Sequence, residues 1–244
     1  MLPLPRPGPQ TENRILAALD DSKAAGLISQ LARVSLTQGE VIYDAETQIE
    51  YVYFPETAVF SMLSEMENGD TVEVGPVGNE GLVGLRIFLG ARTSLDRVLV
   101  HVAGNAMRVR ASVFKEELTN NMSSMQKKLM RYTQMLLAMT GRSGACNKLH
   151  RVDQQLARWL LLMSDYVGDE LRLTHDLMAL TLGVRRAGVT VAANSFRTAG
   201  VIGYQRGHIQ LLDRQGLEAL ACECYQAIKN EYRKLYADLS KPSQ

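Results

Sequence analysis

Leu171-Arg-Leu-Thr-His-Asp-Leu-Met-Ala-Leu-Thr-Leu-Gly-Val-Arg-Arg-Ala-Gly-Val-Thr-Val-Ala-Ala-Asn-Ser-Phe196 is the stretch whose reading decides the fold. Thr174 has the chemistry of a helix N-cap, and Asp176 falls in the first turn, where the helix dipole favours an acid. Leu177, Met178, Leu180 and Leu182 supply apolar contacts, and Ala179 keeps the inner face small. Gly183 lets the chain turn, and a second helix is expected from about Arg185 to Ala199, with Val184 and Val189 completing the shared core. Two helices crossing steeply through a short turn make a helix-turn-helix. Arg185, Arg186 and Thr190 lie at or near the start of the second helix, the end that meets base edges in major-groove docking. Arginine there reads guanine bidentately or clamps a phosphate. Asn194 and Arg197 are placed for phosphate contacts. Past Gly200, the run Val201 to Leu212 reads as two short strands around Arg206-Gly-His208, a β wing. The DNA-binding set is therefore Thr174, Arg185, Arg186, Thr190, Asn194, Arg197 and Arg206.

Charge supports this placement through its distribution. The 244 residues carry a formal net charge of only +1. Between positions 172 and 214, however, Arg172, Arg185, Arg186, Arg197, Arg206 and Arg214 face only Asp176 and Asp213.

Upstream, Val152 to Tyr166 is an amphipathic helix with Leu156, Trp159, Leu160 and Met163 on one face. Before it, Met125, Leu129, Tyr132, Leu136, Met139, Ser143 and Cys146 recur at heptad a/d spacing, which predicts a long helix forming a seam between two copies of the chain. Packing on its own domain is the alternative reading of the same stripe. Gly141 and Gly144 weaken that helix by roughly 1 kcal/mol each relative to alanine, so packing must compensate. Ser112 is read as the cap of a preceding helix. Further upstream, short β-rich runs at Val41, Tyr51, Val59, Thr71 and Val98 suggest an antiparallel sandwich, barrel or jelly roll. Glu67-Asn-Gly-Asp70 supplies a hairpin turn. One or two short helices broken near Gly26 open the fold, and Leu217 to Leu235 reads as a closing amphipathic helix.

These features resemble the Crp/Fnr family of bacterial regulators over almost the full length. The resemblance is carried by the β-rich half with Gly-Asn-Glu-Gly-Leu-Val-Gly-Leu at 78–85, the long helix ending near Asn147, and the winged domain from Leu173 to Leu212. It implies an α+β chain: a flexible tail (1–12), an N-terminal antiparallel β jelly roll like a cyclic-nucleotide-binding domain (13–120), a dimerisation helix (121–149), and a C-terminal winged helix-turn-helix with a terminal helix (150–244). It further implies a cytoplasmic homodimer on palindromic double-stranded DNA, in a family many of whose members contact RNA polymerase. Of the family's Ser-Arg-Glu-Thr-Val-Gly-Arg reading pattern, only Arg186 and Val189 are retained, with Ala187 and Val191 where the base-reading glutamate and second arginine stand. The operator should therefore differ from the familiar ones.

The implied effector pocket falls on Gly84, Leu85, Arg86, Arg97, Met139 and Thr140. Leu85 and Leu95 occupy the places of the ribose-binding glutamate and the phosphate-binding arginine, so the usual cyclic AMP contacts are absent, with Arg92 or Arg97 as substitutes if the loop is re-registered. No cysteine precedes Cys146, against the N-terminal cysteine cluster of the iron-sulfur members, and His101 reads as a satisfied strand residue rather than a haem ligand.

Other chemistry finds little support in the residues. The glycines at 75, 78, 81 and 84 lack nucleotide-loop spacing and read as turns. Cys222-x-Cys224, placed in a helix, would splay its thiols by about 200°. His150, His175 and His208 show no ligand spacing. The expectation is no metal and no cofactor. No nucleophile motif appears, and no apolar run approaches a membrane span, so neither an enzyme nor a membrane protein is expected. Three cysteines suit a reducing compartment. A small-ligand sensor acting through protein partners, without specific DNA binding, is the competing reading.

Overall fold

The computed structural model describes residues 11–19, 21–120, 123–205 and 207–240. Two short helices, α1 (Arg14–Ala17) and α2 (Asp21–Ser29), lead into the β domain. Gly26 lies inside α2, so the break falls earlier in the chain than expected. Seven strands follow: β1 (Ala32–Leu36), β2 (Val41–Tyr43), β3 (Tyr51–Pro55), β4 (Val59–Glu65), β5 (Thr71–Val77), β6 (Arg97–Val102) and β7 (Gly104–Arg110), with the single-turn helix α3 (Leu85–Phe88) between β5 and β6. They pair antiparallel in two sheets, β1-β7-β3 and β2-β6-β4-β5. Val52, Phe54, Phe60, Val100 and Val109 are buried in this domain's core. Gly69, at φ +84°, turns the β4–β5 hairpin as its sequence required.

Helix α4 (Ala111–Asn120) contains Ser112 rather than being capped by it, because the helix begins directly where β7 ends. The long helix α5 (Ser123–Leu149) then runs along the β domain. Here one expectation is corrected. Met125, Leu129, Tyr132, Met139, Ser143 and Cys146 are buried within the single chain and Leu136 is half-buried, so the stripe expected at a subunit seam is used up by intrachain packing. A heptad pattern reports that a face is apolar, not which partner covers it. Gly81 closes a turn, its N–H donating to the Gly78 carbonyl (3.2 Å), and it also permits close approach: Tyr132 lies over it, where an added Cβ would come within 2.3 Å of the ring.

Helix α6 (Val152–Val167) opens the second half, and the Arg151 backbone N–H at its start donates to Gln154 Oε1 (3.2 Å). It is docked on the β domain by two buried carboxylates. Trp159 Nε1 donates to Glu73 (3.0 Å), which also accepts from the Ser61 hydroxyl. Tyr166 Oη donates to Glu80 (3.1 Å). The remaining elements are β8 (Glu170–Arg172), α7 (His175–Leu182), α8 (Arg186–Thr198), β9 (Ile202–Gln205), β10 (His208–Leu211), α9 (Arg214–Leu220) and α10 (Cys224–Leu239). The closing helix is thus two helices, with Ala221 extended (φ −77°, ψ 156°) between them. Among the described residues, no helix is long and apolar enough to cross a membrane.

Candidate nucleic-acid interface

The local chemistry of the helix-turn-helix is what its sequence required. Thr174, in extended conformation, accepts from Leu177 N and caps α7, with Asp176 in the first turn. Gly183 ends the helix at φ +62°, a conformation that a Cβ disfavours. Arg185 is the N-cap of α8, and Val189, Ala192, Ala193 and Phe196 bury one face of it at i, i+3, i+4 and i+7. The opposite face is open, with Arg185, Arg186, Ala187, Asn194 and Arg197 exposed and Val191 70% exposed. β8, β10 and β9 form the wing sheet. Arg206, expected between the wing strands, lies outside the described residues.

Of the DNA-reading candidates, Thr174 is committed to the cap and Thr190 is half-buried. Thr190 Oγ1 lies 3.0 Å from both His175 Nδ1 and the Arg186 carbonyl. His175 stacks on Tyr204 of the wing at 4.6 Å between ring centroids. Burial first, and then the Arg186 charge, push its imidazole below the ordinary histidine range, so it sits neutral between α8 and the wing. Sequence reasoning passed over His175 and Tyr204 because their stacking joins residues far apart in the chain. Arg186 makes a single exposed ion pair with Asp176 (3.3 Å), the kind of contact a phosphate readily replaces. Gly188 meets only Val152 at ordinary contact distance.

In the β domain, Gly84 (φ +98°) precedes α3, Leu85 is buried, and Arg86 Nε donates to the Thr93 carbonyl (3.0 Å). Arg97 pairs with Asp44 and Glu65, each at 3.3 Å. Met139 is buried with its sulfur 3.1 Å from Tyr232 Oη, and Thr140 is half-buried.

The expectation of no cofactor site is overturned by the chain's three cysteines. Cys146, His150, Cys222 and Cys224 bring their donor atoms within 4.8 Å of one another, a group that could hold a metal ion. Cys222 lies in the non-helical link between α9 and α10 and Cys224 is the first residue of α10, so the splay expected of two thiols inside one continuous helix does not apply to this pair.

Residues 154–220 match the model of the Crp-like helix-turn-helix domain. No curated protein matches the chain. Among solved structures, FixK2 from Bradyrhizobium japonicum superposes with TM-score 0.68 at 19% identity, covering 79% of this chain and 98% of that one. A Crp/Fnr-family transcriptional regulator from Eubacterium rectale gives TM-score 0.65 at 18% identity, covering 84% and 96%. CLP, a c-di-GMP responsive global regulator from Xanthomonas campestris, gives 0.64 at 13%, covering 79% and 99%.

Proposed function

We infer, from a chain that has the fold of the Crp/Fnr regulators and carries a Crp-like helix-turn-helix domain, that it is a sequence-specific, dimeric DNA-binding transcription regulator working in the cytoplasm. The observation that carries this reading is the α8 face, a recognition helix whose polar and basic side is open to solvent while its apolar side is fully used in packing. We divide the chain as its sequence suggested: an effector domain over 13–120, a dimerisation helix over 121–149, and the DNA-binding unit over 150–244.

In the major groove, Arg186 reads guanine or clamps a phosphate, Asn194 and Arg197 grip the backbone, and exposed Ala187 and Val191 offer methyl groups to thymine. Such a surface favours a site with an apolar thymine contact where familiar relatives place charged readers.

The seam between subunits is assigned to the outward stripe of α5. Met130 (63% exposed), Leu137 (70% exposed) and Gly144 repeat at seven-residue spacing, with half-buried Thr133 and Thr140 between them. A Cβ at Gly141 or Gly144 would meet nothing within 4 Å, leaving room for a second helix to come close. Two recognition helices related by that seam would meet half-sites of a palindrome one helical turn apart.

The test is selection of duplex sites by the purified protein, followed by titration of the chosen site against salt. Tight, sequence-preferring binding that weakens steeply with salt is expected. Arg186→Ala should lose roughly 10- to 100-fold for the selected site and little for random duplex, since a bidentate base contact is worth about 1–3 kcal/mol. Binding with no sequence preference at moderate salt would favour the protein-partner sensor instead.

A further inference from the structure

We propose that Cys146, His150, Cys222 and Cys224 form a closed, structural zinc site that fastens the end of α5 to the α9–α10 junction. The proposal goes beyond DNA binding and does not depend on it.

The donor set and its spacing carry the argument. Cys146 and His150 are one turn apart at the C-terminal end of α5, where His150 N donates to the Cys146 carbonyl (3.0 Å). Cys222 and Cys224 arrive from the extended break after α9. Cys146 Sγ is 3.5 Å from Cys222 Sγ, and Cys224 Sγ is 3.7 Å from His150 Nδ1. Tetrahedral zinc, with bonds of about 2.3 Å to sulfur and 2.0 Å to nitrogen, sets edges of about 3.8 Å between sulfurs and 3.5 Å between sulfur and nitrogen. These two edges are close to those values, and all four donor atoms lie within 4.8 Å of one another. A disulfide would need sulfurs at about 2.05 Å.

The surroundings fit the same ion. His150 Nε2 lies 3.2 Å from Glu223 Oε2, so an Nε2–H donated to this carboxylate leaves Nδ1 free to face the metal. All three cysteines are buried and His150 is half-buried, which suits a site with no open position for substrate. Three thiols would release their protons on binding, so with zinc the site carries one net negative charge. Arg158, buried on α6 and donating to Ser143 Oγ (3.3 Å) about one turn before Cys146, supplies the compensating cation. Gln155 Nε2 donates to the His150 carbonyl (2.7 Å), tying the same turn to the start of α6. The ion would therefore rigidify the hinge through which the DNA-binding unit joins α5.

The full-length protein, purified under reducing conditions without a metal-affinity tag, should contain one zinc per chain by elemental mass spectrometry. Exchange into Co²⁺ should give thiolate-to-cobalt charge transfer in the near ultraviolet and the intense visible bands of a tetrahedral site. Cys222→Ser and Cys224→Ser should lower metal content well below one. Glu223→Gln, at an exposed position that the fold does not need, should weaken zinc binding about 10-fold. Because the first two measurements use the unaltered chain, a variant that fails to fold does not decide the matter. Metal-free reduced protein with no cobalt charge transfer, or a Cys146–Cys222 disulfide persisting in place of metal, overturns the proposal. Neither result bears on the selected-site binding that tests the regulator reading.

Discussion

Leu137→Asp is expected to convert the protein to monomers in sedimentation, while the unfolding free energy of the isolated chain changes by no more than about 0.5 kcal/mol. The asymmetry follows from position. Leu137 is 70% exposed, so within one chain the substitution disturbs almost nothing. Across a helix pair it would place two carboxylates in an apolar contact, where each would be desolvated beside a like charge. Losing the second half-site removes the gain of bivalent binding, so affinity for a palindrome should fall roughly 10²- to 10⁴-fold. Leu136, one residue earlier, is half-buried among intrachain contacts, and a charge there should destabilise the chain itself. A Leu137→Asp protein that stays dimeric would move the seam away from the Met130–Leu137–Gly144 stripe.

The second large effect concerns pH. Burial raises the Glu73 carboxyl to about 7, against partial relief from Ser61, Trp159 and Arg158, and burial likewise raises Glu80 to about 7 despite its backbone bonds and Tyr166. In the unfolded chain both return to about 4.5. Below pH 4.5 each is protonated in both states and the contribution is fully present. Between 4.5 and 7 only the unfolded chain ionises, so stability falls as pH rises, by on the order of 3 kcal/mol per carboxyl. That is a large part of a typical domain's 5–15 kcal/mol. His101, pushed by burial down to about 4, opposes this trend, since its contribution is present above 6.5 and is lost as pH falls toward 4. The carboxyl effect is therefore read from differences. Glu73→Gln and Glu80→Gln should each flatten the pH dependence of urea unfolding between pH 4.5 and 7, and each should be more stable than the parent at pH 8. Curves parallel to the parent's would show that the carboxylates are ionised in the fold. Because Glu73 holds Trp159 and Glu80 holds Tyr166, both on α6, the same titration should loosen the docking of the DNA-binding unit on the β domain.

Local chemistry made much of this molecule legible in its sequence. Thr174, Gly183, Val189 and Phe196 specify a helix-turn-helix because caps, left-handed turns and one apolar face act within a few residues of one another. The same is true of Gly69 in its hairpin and of Leu156, Trp159, Leu160 and Met163 on α6. Strands β1 and β7 were missed. They carry Arg33, Arg108 and Arg110 among their residues, and strand preference of that kind depends on neighbours the chain only meets once folded.

The sequence by itself thus determined a β domain, a long helix and a winged helix-turn-helix with a basic exposed face, since each rests on periodicity and local conformation. Tertiary structure alone decided which stripe of α5 is inside, because a heptad repeat marks an apolar face without naming its partner. It also decided that Gly81 makes room for Tyr132 and that Glu73 and Glu80 join the two halves. Above all it decided that Cys146 and His150 meet Cys222 and Cys224. That meeting depends on the break between α9 and α10, where the chain leaves the helix at Ala221 and Cys222 comes to lie beside Cys146, seventy-six positions earlier in the chain.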